Sequence, residues 1–134
     1  MRKRAAALII RDGALLLIRR QKPGRDYYIL PGGGVELDES FEEACRREVE
    51  EETGFEAIGL QLVYVRHDSS TEEHYFLTRV PVGDPVLGGP EVTRISPDNQ
   101  YVFTWANAEQ LATLNLSPAA SQRICLKILN EINQ

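Results

Sequence analysis

The stretch "GGGVELDESFEEACRREVEEETGF", residues 32–55, sets eight Glu, one Asp and two Arg around a few apolar positions, between a run of glycines and one more glycine. Ser40 followed by Glu43 has the form of a capping box, in which each side chain satisfies a main-chain N–H of the other residue. Gly54 offers the left-handed stop that ends many helices. Together they predict a helix from Phe41 to Thr53. At an advance of about 100° per residue, Phe41, Cys45 and Val49 share one face with Ala44 beside them, and this stripe would anchor the helix to a sheet. Glu42, Glu43, Arg46 and Glu50 point away, as a solvated face.

Glu48 and Glu52 do not fit that solvated face. They fall in the sector that Phe41, Ala44 and Cys45 occupy a turn or two earlier, so they project toward the protein, with Glu51 on its edge. Carboxylates at i, i+3 and i+4 converge on one patch, and burying them unpaired would cost several kcal/mol or force protonation. Arg47 lies one turn from both Glu43 and Glu51, but a single guanidinium cannot neutralise three acids. A hard divalent cation can. Mg²⁺, with Mn²⁺ as a possible substitute, prefers carboxylate oxygens with open water positions and ordinarily works with a phosphate as a further ligand. Pro31 ends a preceding strand, and Gly32, Gly33 and Gly34 are expected to bring bare backbone close to a ligand or metal and turn sharply into the helix.

Outward from this stretch, "RAAALII" and "ALLLIRR" flank an Asp-Gly turn, so residues 4–20 read as a β-hairpin. "QKPGRD" reads as a loop and "YYIL" as a short strand. "GLQLVYVRH" and "HYFLTRVPV" are β-rich runs joined by the polar turn "DSSTEE". Residues 83–100 are rich in Gly, Pro, Asp and Ser and predict a long loop, the kind of segment that is often functional. "YVFTWA" follows as a strand. Asn107 opens a short helix "AEQLATL", and Ser117-Pro118, a cap residue with Pro at the first helical position, opens the last helix "AASQRICLKILNEI". Strands and helices interleave without regular βαβ alternation, which favours an α+β fold: a mixed sheet with helices on its faces.

The 134 residues, 43% hydrophobic and 26% charged, suit one domain spanning 1–134 with a single core. A net charge of -5 argues against nucleic acid as the main partner, because phosphate neutralisation needs a basic surface. Cys45 and Cys125 lack the spacing of a disulfide framework or zinc site and read as buried free thiols in a cytoplasmic protein. The apolar run Ala5–Ile10 is too short for a signal peptide and reads as a first strand, and no run approaches a membrane span.

From Gly33 to Phe55 the chain resembles the Nudix box of the Nudix hydrolases: Gly, five residues, Glu, seven residues, then Arg-Glu-aliphatic-any-Glu-Glu-any-Gly-apolar. Gly33, Glu39, Arg47, Glu48, Val49, Glu51, Glu52, Gly54 and Phe55 fill every defined place. The resemblance implies an α/β/α sandwich and metal-dependent cleavage of a nucleoside diphosphate linked to a further group. It also implies roles. Glu48, Glu51 and Glu52 would bind divalent metal, directly or through water, with a carbonyl of Gly32 or Gly33 as a further ligand. Arg47 would orient the glutamates, and Glu39 would hold the loop as a salt-bridge partner. The metal would neutralise the diphosphate and lower the pKa of an attacking water.

The general base is a box glutamate or a carboxylate from a distal loop, with Glu91 and Asp98 preferred and Glu72 and Glu73 as alternatives. Arg4, Arg19, Tyr28 and His74 are candidates to touch substrate from neighbouring strands. Signatures expected of ADP-ribose, diadenosine polyphosphate, NADH and coenzyme A hydrolases are missing, which leaves a small nucleoside triphosphate hydrolase, acting on oxidised or non-standard nucleotides, as the favoured reading. The alternative is a nucleotide-binding or sensing Nudix domain without turnover, although its box would commonly have lost residues. A plain interaction domain leaves the inward Glu48 and Glu52 unexplained. A small-molecule nucleotide is the expected partner, and the chain is expected to be a monomer or homodimer.

Overall fold

The computed structural model describes residues 1–88 and 94–133. Its elements are β1 (Arg2–Arg11), β2 (Ala14–Lys22), β3 (Arg25–Ile29), β4 (Gly32–Gly34), α1 (Phe41–Thr53), β5 (Ile58–His67), β6 (Thr71–Arg79), β7 (Gln100–Ala106), α2 (Ala108–Leu111) and α3 (Ala119–Ile132). The β1–β2 turn places Asp12 and Gly13 both at positive φ, 51° and 76°, the backbone that a two-residue hairpin turn demands.

After that hairpin the two strands diverge. β1 and β2 pair only at Ile10–Leu15 and Arg11–Ala14. Beyond this, β4 runs antiparallel along β1, while β3 runs antiparallel along β2. The segment 25–34 therefore lies between the two arms of an opened hairpin. On the far edge of β1, β6 pairs parallel and β5 pairs antiparallel to β6; on the far edge of β2 lies β7. The sheet is mixed, as expected.

Alternation along β1 distributes side chains to two cores. Ala5, Ala7 and Ile9 join Leu16, Cys45, Val49 and Phe76 under α1. Ala6 and Leu8 join Leu15, Leu17, Leu111, Cys125 and Leu129 under α2 and α3. Helices thus cover both faces of the sheet, the expected sandwich. Cys45 and Cys125 are free and buried, and desolvation pushes both thiols up to about 12.

Several local expectations are corrected. "QKPGRD" is a two-residue turn between paired strands, Lys22 facing Arg25, with Gly24 at φ +72° after Pro23. The glycines at 32–34 form the short strand β4 rather than a turn, because the free edge of β1 takes up their main-chain groups. "DSSTEE" shortens as well: the Asp68 carboxylate accepts the N–H groups of Ser70 and Thr71 at 2.8 Å each, so the chain re-enters β6 at Thr71 and carries Glu72 and Glu73 into the sheet. β6 ends at Arg79, before "VPV". The helix after Asn107 stops at Leu111, short of Leu114. Pro118, not Ser117, stands at the N-cap of α3 and makes no side-chain cap hydrogen bond, while the Ser117 N–H donates to the Tyr28 carbonyl at 2.8 Å.

Candidate active site

Helix α1 has the predicted bounds. The Ser40 side chain accepts the Glu43 N–H at 3.0 Å, the Glu43 side chain accepts the Ser40 N–H at 2.9 Å, and Gly54 ends the helix at φ 73°. With Ala44, Cys45 and Val49 buried in the sheet, the helical phase is set. Glu50 is exposed, whereas Glu52 retains only 4% of its accessible surface.

Arg47 links this helix to the glycine strand. Its Nε and Nη2 donate to the two carboxylate oxygens of Glu39 at 2.8 and 2.9 Å, a forked pair. Nη2 also donates to the Gly34 carbonyl at 3.0 Å, and Nη1 to Glu48 Oε1 at 2.7 Å. Glu51 lies 3.5 Å from the same Nη1. The guanidinium, followed by the Glu36 N–H, lowers the Glu39 carboxyl to about 2. Glu39 in turn raises Arg47 above its already high ordinary value.

Two glycines receive the inward acids. The Gly32 N–H donates to Glu52 Oε1 at 2.8 Å. At Gly33 a Cβ would stand 2.6 Å from the Glu48 carboxylate, so the bare backbone is what lets that carboxylate close in. Glu51 is 44% exposed at its side chain, and its carbonyl lies against Gly88, where a Cβ would come within 2.4 Å. Among the described residues no three His, Cys, Asp or Glu side chains converge into a ready-made ion site; Arg47 stands between Glu48 and Glu51. The donor set nevertheless fits a hard cation: carboxylate oxygens and peptide carbonyls, with the Glu48 carboxylate seated in the space a Gly33 Cβ would fill.

Beside Gly32 the opened hairpin holds a cavity of about 600 Å³. Arg2, Arg4, Arg20, Arg25 and Arg66 line it, together with Glu73. Glu73 is 4% exposed and accepts from Arg4 Nε at 3.3 Å, from Arg66 Nε and Nη2 at 3.3 and 3.1 Å, and from the Tyr75 hydroxyl at 2.8 Å. Burial raises the Tyr75 hydroxyl above its ordinary range.

Of the substrate-contact candidates, only Arg4 lines this cavity. Arg19 is held by Asp26 at 2.6 and 3.0 Å, and Tyr28 packs against the core under α3. His74 stacks on Phe41, ring centroids 3.5 Å apart, with Nε2 2.7 Å from Glu72. Asp98 sits exposed in the turn between Ser96 and Asn99 and is not among the residues that line the cavity, and Glu91 lies outside the described residues. Sequence reasoning missed Arg2, Arg20, Arg25 and Arg66 as site residues. Period-two alternation was the available signal: Arg2, Arg4 and Ala6 share one side of β1, and Arg25, Tyr27 and Ile29 share one side of β3, and all six line the cavity.

The chain matches the family model for the NUDIX domain over residues 1–125. It is 36% identical over 104 residues to a Bacillus subtilis (strain 168) protein provisionally described as an 8-oxo-dGTP diphosphatase, covering 72% of this chain and 66% of that one. It is 32% identical over 135 residues to the nucleoside triphosphatase NudI of Escherichia fergusonii, covering 90% and 92%. The chain thus spans slightly under two thirds of the first of these relatives and nearly all of the second. The fold is similar to a structure from work on MutT of Aliivibrio salmonicida and Vibrio cholerae, with a TM-score of 0.77 at 22% identity over 97% of this chain and 98% of that one.

Proposed function

The chain belongs to the NUDIX family, and from that premise we propose that residues 1–134, acting as one domain, hydrolyse the diphosphate linkage of a nucleoside diphosphate joined to a further group. The observation that carries this reading is the placement of Glu48 and Glu52 against the Gly32–Gly33 main chain, one filling the space a Cβ would take and the other on the Gly32 N–H.

Glu48, Glu51 and Glu52, with the Gly32 carbonyl, would hold Mg²⁺ or Mn²⁺. Such an ion supplies charge neutralisation at the diphosphate and a more acidic water. The chain's own residues do the rest. Arg47 keeps Glu48 in place and is itself fixed by the Glu39 fork and the Gly34 carbonyl. Gly32 and Gly33 leave the main chain bare beside the carboxylates, so a phosphate chain can pass close to them. A glutamate of the helix takes the proton from the attacking water, with Glu91 or Asp98 as the distal alternative. A nucleoside triphosphate, including oxidised forms, is the favoured substrate, supported by the activities for which the two relatives are named. The two free, buried thiols suit a reducing compartment such as the cytoplasm.

The test is phosphate and pyrophosphate release from a nucleotide panel with Mg²⁺, paired with thermal melts. Turnover should require the cation. Millimolar Mg²⁺ should raise the thermal midpoint, since binding the folded state alone stabilises it by about 2.7 kcal/mol at a hundredfold excess over Kd. Matched monovalent salt should not. A midpoint that does not move, with no nucleotide cleaved, would favour a nucleotide-binding domain without turnover.

A further inference from the structure

β5 forms one end of the sheet and β3 the other. Edge strands ordinarily carry charge or Pro, which discourages pairing with other chains, as β3 does with Arg25 and Asp26. From Ile58 to Val65, by contrast, β5 has six apolar residues and no charged one. Only Leu60 and Val63 among these pack against the two cores. Ile58, Leu62 and Tyr64 each keep 46–48% of their accessible surface, and Ile132 at the end of α3 keeps 43%. Between β5 and α3, cavities of about 410, 390 and 470 Å³ merge into one groove: the first shares Val63, Ile128 and Glu131 with the third, and the third shares Gln61, Leu77 and Ile132 with the second. Neither Gly32 nor any carboxylate of α1 lines it, so the groove is no part of the candidate active site.

The charges along this groove are ordered. α3 runs antiparallel to β5, with Ala120 and Arg123 beside Tyr64 and Arg66, and Ile132 beside Gly59 and Gln61. Arg123 and Lys127 therefore mark one end of the groove, and Glu131 lies toward the other. Among the described residues none of these three side chains has an ion-pair partner within the chain. An apolar groove with a basic end and an acidic end complements its own copy turned through a half-circle, whereas a parallel copy would bring like charges together. The face is as long as β5, about 33 Å, and as wide as one strand and one helix, about 15 Å. It offers on the order of 500 Å² per protomer and about 1,000 Å² in all, which reaches the size of a specific interface.

We infer that a second copy of this chain docks on the β5–α3 face, about a two-fold axis near Leu62 and Val63. Each Lys127 then faces the partner's Glu131, and each Arg123 faces the last carbonyls of the partner's α3, where a cation is favoured. Burial of Ile58, Leu62, Tyr64 and Ile132 drives the association, and the charges fix its direction. Two register shifts in the pairing of β5 with β6 bend the strand, so the copies meet through side chains rather than through a continued main-chain ladder. This dimer does not depend on the hydrolase reading.

Sedimentation velocity of the full chain tests this. The wild type should pass from monomer to dimer with a Kd on the order of 10 µM, as suits an interface of this size. Glu131→Arg, and separately Arg123→Glu/Lys127→Glu, should each weaken self-association at least about tenfold, because the two-fold axis counts every substitution twice. Mixed in equal amounts, these two variants should form a heterodimer about as tight as the wild-type dimer, since opposite charges face one another again. Leu62→Ser changes a half-exposed side chain outside both cores, so it should leave the circular dichroism spectrum unchanged and weaken the dimer about tenfold or more. A wild type that stays monomeric at about 200 µM overturns the proposal and leaves the face to a partner of another kind. Indifference of the dimer to Leu62→Ser, indifference to the charge reversals, or a mixture that fails to associate overturns it equally.

Discussion

Oε1 of Glu52 accepts the main-chain N–H of Gly32 at 2.8 Å, across 20 residues of chain, and so ties the helix to the glycine strand at the point where both meet the cavity. Glutamine can make the same hydrogen bond through its amide oxygen, but without charge. Glu52→Gln should therefore keep the fold, seen as an unchanged circular dichroism spectrum, while turnover falls about a hundredfold or more, as expected for a group closer to the ion than an outer-shell partner. Near-normal rates in the folded variant would remove Glu52 from the site.

Glu50 lies two positions away on the exposed face of the same helix. Its charge faces screened solvent, so Glu50→Gln should alter kcat/KM by less than about threefold. A loss as deep as that of Glu52→Gln would mean that the helix presents a different face to substrate.

Neighbouring glycines should respond oppositely to alanine. At Gly33 the added Cβ meets only the movable end of Glu48, so the thermal midpoint should hold or rise slightly, while the displaced carboxylate lowers kcat roughly tenfold to a hundredfold. At Gly32, φ is +155° and a Cβ would lie 2.2 Å from the Ala5 carbonyl oxygen, which is main chain in the middle of β1. Gly32→Ala should cost about 3 kcal/mol or more in denaturant unfolding. Similar stability for the two variants would contradict this packing.

The Glu39–Arg47 fork sets a pH dependence. Glu39 is held at about 2, below its ordinary 4.5, so the folded state binds its proton less readily than the unfolded chain. Its contribution is present above about 4.5 and disappears as pH falls through about 2. Solvent screening limits it to about 1 kcal/mol. Melts of the wild type and Glu39→Gln should differ at pH 6 and converge toward pH 2. A gap that widens on acidification would reverse the sign and exclude the fork as its source.

Helix α1 was legible residue by residue because its signals are local. Capping by Ser40 and Glu43, the stop at Gly54 and the period of the apolar stripe all act within one or two turns, and they also orient Glu48 and Glu52 inward. The hairpin at Asp12-Gly13 was legible for the same reason: the turn residues dictate the backbone. The glycine strand was not. Whether three glycines turn or pair depends on a free strand edge, and that edge exists only because β1 and β2 separate after their hairpin.

By itself the sequence determined the acid-bearing helix, its phase, the Nudix pattern and the strand-rich frame around them, since each rests on contacts between residues close in the chain. Only the tertiary structure decided which basic residue of β2 faces the cavity. Arg19 and Arg20 are adjacent in β2, and with polar side chains on both, alternation has no apolar member to mark the inner side. Pairing of β2 with β3 and β7 turns Arg20 inward and leaves Arg19 to Asp26. Glu73 was hidden for a related reason: its burial follows from the parallel pairing of β6 with β1, which sets Glu73 opposite Arg4 across 69 residues of chain.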